Sequence, residues 1–526
     1  MAQRALQLCN APICYIPNDT ARGTGLTKNG GLSVMTWGLG LRSRLLIAAG
    51  VTLIGGVVEH APAKAADLGG DCCSDLEDRV AELEATTVRK GNKKVSVTLY
   101  GQVNRAVLWW DDHVESNTYT VDNNYESSRF GVKGSAKISG NWSAGYRLEV
   151  ETTGANSAKV NQFNDDNAFD PLGPLNVRWS QIYLNNKNWG EVRLGLTATP
   201  IYNITKDTNV TDLEDTMHSD NRMNASFLLR ARNSPQNAEG LSTLRWSDIS
   251  RCYESSNAFV CSTRKNGVAY WSPAWEGFTA SAGWYEDDEW GAALRYKKEW
   301  GENWEVGAGW GYAKITDERL QNGGGGFAGY RRDFDEWAGS ESIKNIPTGL
   351  FVFNALSFSE THDSNAIGAY NGKRPPLMNA WDVQFGIQRK IPWFGLDSLG
   401  QTSIWGGISQ INDGFAQGSS GVTSSSIVFD NNPTTKLGGV PANGLINAAT
   451  AFPGAGINGT YQVVGSEVNR WTVAADQELE KSGMHLYWVY QHFDSPELDL
   501  IDSSLQHRSV PLEGFDLFYT GARIYF

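Results

Sequence analysis

The chain has 526 residues, with 57 Gly, 20 Trp, 19 Tyr and 20 Phe, and 45 basic side chains against 58 acidic ones, a formal charge of −13. That balance argues against a nucleic-acid-binding protein, which carries a basic footprint, and the lack of any apolar run of 18 residues argues against a bundle of transmembrane helices. A mean hydropathy of −0.38 with so much Gly and Trp fits either a polar soluble β protein or a barrel that is apolar outside and watery inside.

Residues 45–58 (LLIAAGVTLIGGVV) form an apolar run preceded by Arg42 and Arg44 and followed by Ala63-Lys64-Ala65. A basic segment, a short apolar core and an A-x-A site read as a secretory signal peptide, and the run is too short to span a bilayer. The stretch before Met35 exceeds an ordinary basic segment, so residues 1–65 are assigned as an upstream extension plus signal peptide, with translation expected to start at Met35. Their removal takes away Arg4, Arg22, Lys28, Arg42, Arg44 and Lys64 with Asp19 and Glu59, leaving 39 basic against 56 acidic side chains, a charge of −17.

Cys9 and Cys14 lie upstream, so four of the six Cys remain. Asp71 does not fit a lipobox before Cys72. The adjacent Cys72 and Cys73 cannot easily pair with each other, which leaves intersubunit bridges open. Leu76, Val80, Leu83 and Thr87 follow at spacings of 4, 3 and 4. They predict a short helix, either two heptads of a coiled coil or one amphipathic helix lying on the body.

From Val95 the period changes to two. Trp290, Ala292, Leu294 and Tyr296 share one face against Arg295 and Lys297. Trp304, Val306, Ala308, Trp310 and Tyr312 oppose Glu305 and four small residues. Trp381, Val383, Phe385 and Ile387 oppose Asp382, Gln384 and Gln388. Runs of about ten residues are twice the usual soluble length and suit a tilted transmembrane strand. Asn141-Trp142, Asn188-Trp189 and Asn303-Trp304 each open a strand after a tight turn, where an interfacial aromatic girdle needs indole rings.

Upward strands are expected near 95–110, 141–152, 189–198, 240–248, 276–285, 302–315, 401–411 and 484–494. Downward strands are expected near 126–139, 176–187, 222–233, 266–274, 289–300, 379–390, 467–478 and 515–526. The total of sixteen is even, as a single-chain barrel requires, and the long pieces 316–378 and 412–466 then fall on one side as loops. Two alternatives stay open: 222–248 as part of one long loop, and 350–358 as a strand. The fold class is thus an all-β, sixteen-stranded antiparallel transmembrane barrel over 95–526, with a short N-terminal helix.

At this point the sequence resembles a Gram-negative general porin, most of all the porins of alphaproteobacteria such as rhizobia. The resemblance is carried by residues 66–104 (ADLGGDCCSDLEDRVAELEATTVRKGNKKVSVTLYGQVN), by the turn in 270–277 (YWSPAWEG) and by the C-terminal strand. It implies a signal-exported, multi-pass protein of the bacterial outer membrane, with 66–94 periplasmic, in contact with outer-membrane lipid. It implies a homotrimer with no cofactor and no nucleic-acid partner. Phe518, Ile524 and Phe526, on one face of the last strand with Thr520 and Ala522, resemble the signal read by the outer-membrane assembly machinery.

The resemblance also implies a water-filled channel for passive diffusion of ions and small hydrophilic solutes, with the loop after the fifth strand folded inward as a constriction. That loop starts near Pro200 and supplies Asp207, Asp212, Glu214, Asp215 and Asp220. Facing it, the inner wall offers Arg129, Lys133, Arg147, Arg178 and Arg193, because a cation on the lipid face at mid-membrane costs about 2–4 kcal/mol. Opposed charges across a narrow aqueous gap would orient small polar solutes. Cys252 and Cys261, nine apart in an oxidising compartment, predict a loop-closing disulfide.

Two other classes compete with this reading, an enzyme and a substrate-specific channel. No H-E-x-x-H, G-x-S-x-G or P-loop is present, and His485 and His492 fall on opposite faces of a strand, so neither an enzyme nor a metal site is indicated. A channel specific for a sugar or an anion stays open as the alternative.

Overall fold

The computed structural model describes residues 94–152, 154–165, 175–211, 213, 223–236, 240–250, 262–321, 327–362, 376–392, 396, 398–414, 445–447, 456, 460–501 and 506–526. The signal segment, the N-terminal helix, the acids Asp212, Glu214, Asp215 and Asp220, and the pair Cys252 and Cys261 lie outside the described residues.

Sixteen strands pair edge to edge into one closed antiparallel sheet. They are β1 (Thr98–Asp111), β2 (Arg129–Ser139), β3 (Trp142–Thr152), β4 (Leu175–Asn186), β5 (Gly190–Ala198), β6 (Arg264–Trp271), β7 (Phe278–Tyr285) and β8 (Trp290–Trp300). They continue as β9 (Trp304–Gln321), β10 (Phe327–Asn345), β11 (Leu350–Thr361), β12 (Met378–Arg389), β13 (Thr402–Asn412), β14 (Thr460–Leu479), β15 (Met484–Phe493) and β16 (Phe515–Tyr525). The ring closes where β16 pairs with β1, Ile524 opposite Val103 and Tyr519 opposite Leu108. Beyond the last strand, the amide of Phe526 donates to the Gly101 carbonyl at 3.1 Å and its carbonyl accepts from the Gly101 amide at 2.9 Å. No sheet edge is left at the seam, which removes the unpaired row an open barrel would expose.

The expected number of strands is present, but two of its members differ. Segments 222–233 and 240–248 are not wall strands. Leu228–Arg230 and Leu241–Arg245 make a separate two-stranded sheet, followed by a helical turn Trp246–Ser250. Their places in the wall are taken by β10 and β11, inside the piece 316–378 that was expected to be a loop. Both segments alternate, but Phe227, Leu229 and Ala231 are buried together with their neighbours Leu228 and Arg230, so neither face of 228–231 meets solvent. In β10 the outward row is interrupted by Asp333, Asp335, Gly339 and Glu341, which hides its period. One hairpin leaves the wall and one joins it, so every other strand keeps its direction.

Alternation is what makes the wall. Leu99, Val103 and Val107 of β1, Leu294 of β8, Ile404 and Ile408 of β13 and Val473 of β14 are exposed on the outside, while their sequence neighbours point inward. Trp142, Trp189, Trp300 and Trp304 stand exposed at the end with tight turns, and Trp284, Trp290, Trp310, Trp337 and Trp471 stand exposed nearer the other end. An indole has an apolar body and one N–H in need of a partner, which suits it to such a boundary. At the tight-turn end Gly190 has φ +88°, and a Cβ there would lie 2.2 Å from the Trp271 carbonyl oxygen, so this corner requires glycine.

Candidate functional site

After β5 the chain turns into the barrel at Thr199, whose amide donates to the Thr263 carbonyl at 2.9 Å. Residues 200–211 then run as a strap across the inner faces of β8, β9 and β10. Period two places Gly307, Gly309 and Gly311 on the inner row of β9, opposite Ser342, Ser340 and Ala338 of β10. A Cβ at Gly307 would meet the Thr208 carbonyl oxygen at 1.9 Å, and one at Gly311 would meet Ile201 at 2.4 Å. The absence of side chains is therefore what allows the strap to lie on the wall.

Polar contacts then fasten it. The Val210 amide donates to Ser342 Oγ at 3.1 Å, Ser340 Oγ to the Ile204 carbonyl at 3.1 Å, and Lys344 Nζ to the Val210 carbonyl at 2.9 Å. Lys297 Nζ donates to the Asn209 carbonyl at 3.0 Å. Arg295 is the main tie. It donates to the Pro200 carbonyl at 2.7 Å, to Asp207 Oδ2 at 3.0 Å and to Ser281 Oγ at 3.1 Å.

Between the strap and the inner faces of β2, β3 and β4 lies a cavity of about 220 Å³, lined among others by Glu126, Arg129, Arg147, Glu149, Arg178 and Lys206. The sequence R-x-E-x-E puts Arg147, Glu149 and Glu151 on one inner row of β3. Glu149 is the hub of the network. It accepts from Arg147 Nη2 at 2.6 Å, from Arg178 Nε at 3.0 Å and from the Tyr100 hydroxyl at 2.8 Å, and Arg129 Nε lies 3.8 Å away. Glu151 pairs with Arg178. Glu126, in the turn before β2, pairs with Arg129 and with Lys206 of the strap, and Arg523 Nη1 of β16 is 3.9 Å from it. Burial alone would raise the Glu126 carboxyl, but Arg129, Lys206 and Arg523 hold it well below the usual carboxylate range. It therefore stays ionised.

The two signs are not equally presented. Glu126 and Glu149 are 3% and 1% exposed and Glu151 is 12% exposed, whereas Arg147 is 34%, Lys206 22% and Arg129 18% exposed. Glu126 and Glu149 thus sit behind Arg129, Arg147 and Lys206, while Asp207 of the strap, 37% exposed and held by Arg295, is the open carboxylate of the same cavity. Arg147 also stacks on Trp179, its guanidinium carbon 4.3 Å from the ring centroid, which holds it flat against the wall.

Of the residues singled out in the sequence, Arg129, Arg147, Arg178 and Asp207 line this one cavity. Lys133 lies on the same inner row as Arg129, beside the Tyr100 ring at 5.1 Å, and is not part of the lining. Arg193 is also outside it. It bonds Glu191 at 2.6 Å and covers Trp271 at 4.6 Å, with Arg295 at 4.8 Å from the same ring. Sequence reasoning missed Glu126, Glu149, Glu151, Lys206 and Arg295. The parity of R-x-E-x-E and of Ala293-x-Arg295-x-Lys297 carried the signal for three of them. Glu126 and Lys206 lie in turns, where parity says nothing. Among the described residues no group of His, Cys, Asp and Glu could hold a metal ion.

A sequence profile of the Gram-negative porins matches residues 61–497. The chain belongs to that family. As a porin it forms an outer-membrane channel for passive diffusion, and the cavity lies on the inner side of its wall. Among curated proteins none matches the chain. Among solved structures it is similar to the anion-selective porin from Comamonas acidovorans, with 16% identity, a TM-score of 0.47, and 82% of this chain and 100% of that one covered. It is similar also to in-vitro folded OmpT of Vibrio cholerae (12% identity, TM-score 0.45, 84% and 99% covered). A third is OmpF of Salmonella typhi in complex with daunomycin (13% identity, TM-score 0.41, 84% and 100% covered). The SPAWEG segment forms the β6–β7 turn of the porin, where the Ser272 hydroxyl accepts from the Ala280 amide at 2.9 Å.

Proposed function

We propose that this porin is a general diffusion channel whose constriction favours small anions. The observation that carries this reading is the charged cluster, in which Arg129, Arg147 and Lys206 lie toward the cavity with Glu126 and Glu149 behind them, and the one open carboxylate, Asp207, is paired with Arg295. A permeating ion meets the exposed guanidinium of Arg147 with Arg129 and Lys206 near it, while the acids act mainly to keep these groups charged and oriented. Arg178, Lys133 and Arg193 extend the basic wall, and Asp207, Asp212, Glu214, Asp215 and Asp220 are assigned to the inward loop.

The stretches 66–104 and 270–277 support membership of the rhizobial-type subfamily and a homotrimer in contact with outer-membrane lipid. On this reading residues 1–65 are the upstream extension and signal peptide, 66–94 a periplasmic segment, Cys252 and Cys261 a disulfide, and Phe518, Ile524 and Phe526 the assembly signal. Sequencing the N-terminus of the exported protein tests the first assignment, with a start within two residues of Asp67 expected.

The central test is the reversal potential of the purified porin in a planar bilayer under a salt gradient. Anion selectivity is expected, shifting toward cations by several-fold in permeability ratio for Arg147→Glu. Cation selectivity of the unaltered porin would overturn the reading. Saturable block by one solute at low concentration would instead favour a substrate-specific channel.

A further inference from the structure

The connection from β5 to β6 contains a second inward element beyond the strap. In the described part of 223–250, Phe227 and Ile249 are fully buried, and Leu229, Leu244 and Trp246 are 1% exposed. The Phe227 ring lies 5.2 Å from Trp110 and 5.0 Å from Phe515, and Trp246 lies 5.3 Å from Phe493. Those three partners are the inner-row residues at the loop ends of β1, β16 and β15. Gly414, just past β13, leaves room for the Ile249 carbonyl, 2.2 Å from where its Cβ would be.

Polar ties pin the element in place. Arg230 Nη2 and Asp112 Oδ2 are 3.2 Å apart, both side chains at or below 3% exposure. The Glu513 amide donates to the Arg230 carbonyl at 2.8 Å, and the Arg232 amide to the Pro511 carbonyl at 3.0 Å. The Leu228 amide donates to Gln162 Oε1 at 2.9 Å, and Gln162 Nε2 donates back to the Leu228 carbonyl at 3.1 Å.

The wall beneath is made to match. The inner row of β1 runs from Gln102 and Asn104 to Ala106, Leu108 and Trp110, and that of β16 from Arg523 to Tyr519, Leu517 and Phe515. A channel lining is normally polar. Here it turns apolar at the level where residues 223–250 cover it, so the contact is built into both partners.

We infer that residues 223–236 and 240–250 are a second filter of the channel, a wedge fixed in the outer vestibule that limits solute size separately from the charge selection at the strap. A wedge covering the inner ends of β1, β15 and β16 removes that sector from the water-filled cross-section. Solutes must then pass along the remaining wall before they reach the cation cluster.

The test replaces 224–249 of the full-length porin by a six-residue Gly/Ser linker, with heat-modifiability on gels as the check of a folded barrel. Single-channel conductance is expected to rise at least two-fold. The size limit for neutral sugars in liposome swelling is expected to move from mono- and disaccharides toward larger oligosaccharides. The reversal potential is expected to stay unchanged, because the cation cluster is elsewhere. If the shortened chain fails to form a barrel, the double variant Phe227→Ala/Trp246→Ala reads the same quantity, and faster uptake of the larger sugars is expected. A folded variant of either kind with unchanged conductance and unchanged sugar limit overturns the proposal. Absence of conductance from the unaltered porin is a separate failure, of the channel itself.

Discussion

Glu341 shows how strictly parity acts on single side chains. It lies on the outward row of β10, between Gly339 and Ile343 and directly across from Ala308 and Asn354, and it is exposed. Trp337, of the outer belt, is four residues away on one side, and the turn after Asn345 begins four residues away on the other, which puts the carboxyl near mid-height of the apolar band. A cation there would cost about 2–4 kcal/mol and a carboxylate less. Glu341→Leu is therefore expected to stabilise the barrel by about 1–2 kcal/mol, measured as a later loss of the folded gel band on heating.

His113, in the loop after β1, shows the opposite balance. Its Nε2 lies 3.1 Å from Asp516, and that hydrogen bond, against partial desolvation and with help from Asp516 and Asp111 charge, raises its pKa above 6.5. A raised pKa in the folded state means stabilisation that is complete below the unfolded value and is lost as pH rises through the folded one. Heat resistance should thus fall as pH rises above the ordinary imidazole range, and fall less in His113→Gln. An equal slope in both would show that this pair adds nothing.

At the scale of elements, one connection does the shaping of the channel. The wall is repetitive and would be indifferent to what enters it, except where its inner rows carry a pattern. A glycine row on β9 accepts the strap, and an apolar end on β1, β15 and β16 accepts the wedge. Gly307→Val places side-chain atoms where the Thr208 carbonyl lies. The barrel is expected to fold, because the strap can move off the wall, but single-channel current should become noisy and its mean should change. Quiet, unaltered current would mean that the strap is not held by this contact. The buried Asp112–Arg230 pair works similarly for the wedge, since removing one partner of such a pair leaves an uncompensated charge at a cost of about 3–5 kcal/mol. The strap was expected from the family resemblance, and of the five acids assigned to it only Asp207 lies on its described part. The wedge was open only as an alternative, with 222–248 inside one long loop, because short apolar alternation reads the same whether it faces outward on one side or protein on both.

For the molecule as a whole, closure is the decisive event. Its seam is β16 on β1, finished by the two backbone hydrogen bonds of Phe526. The ring of Phe526 lies over Gly101, so that a Cβ there would be 2.4 Å from it. Two roles are thereby separable. Deletion of Phe526 removes the backbone bonds and should lower heat resistance even after refolding in detergent. Phe526→Ala keeps them, and should refold normally in detergent yet reach the outer membrane of cells poorly if the ring is an assembly signal. Normal amounts of Phe526→Ala in the membrane would remove that role from the side chain.

The sequence by itself determined the all-β barrel, the number and direction of the wall strands and the inward position of Arg129, Arg147 and Arg178, and the resemblance of 66–104 and 270–277 added the class of protein. The barrel and its inward rows follow from one local rule, that successive side chains of a strand point to opposite faces. The same rule survived the exchange of one hairpin for another, because strands enter and leave a barrel in pairs. What only the tertiary structure decided is where on the wall the inward connection lies, and which charged groups it brings into one cluster. Those depend on contacts between residues far apart in the chain, such as Glu126 with Lys206 and Arg523, or Trp110 with Phe227 and Phe515. The excess of acid that marks the sequence says little of this cluster, because there Glu126 and Glu149 are buried against the cations they hold.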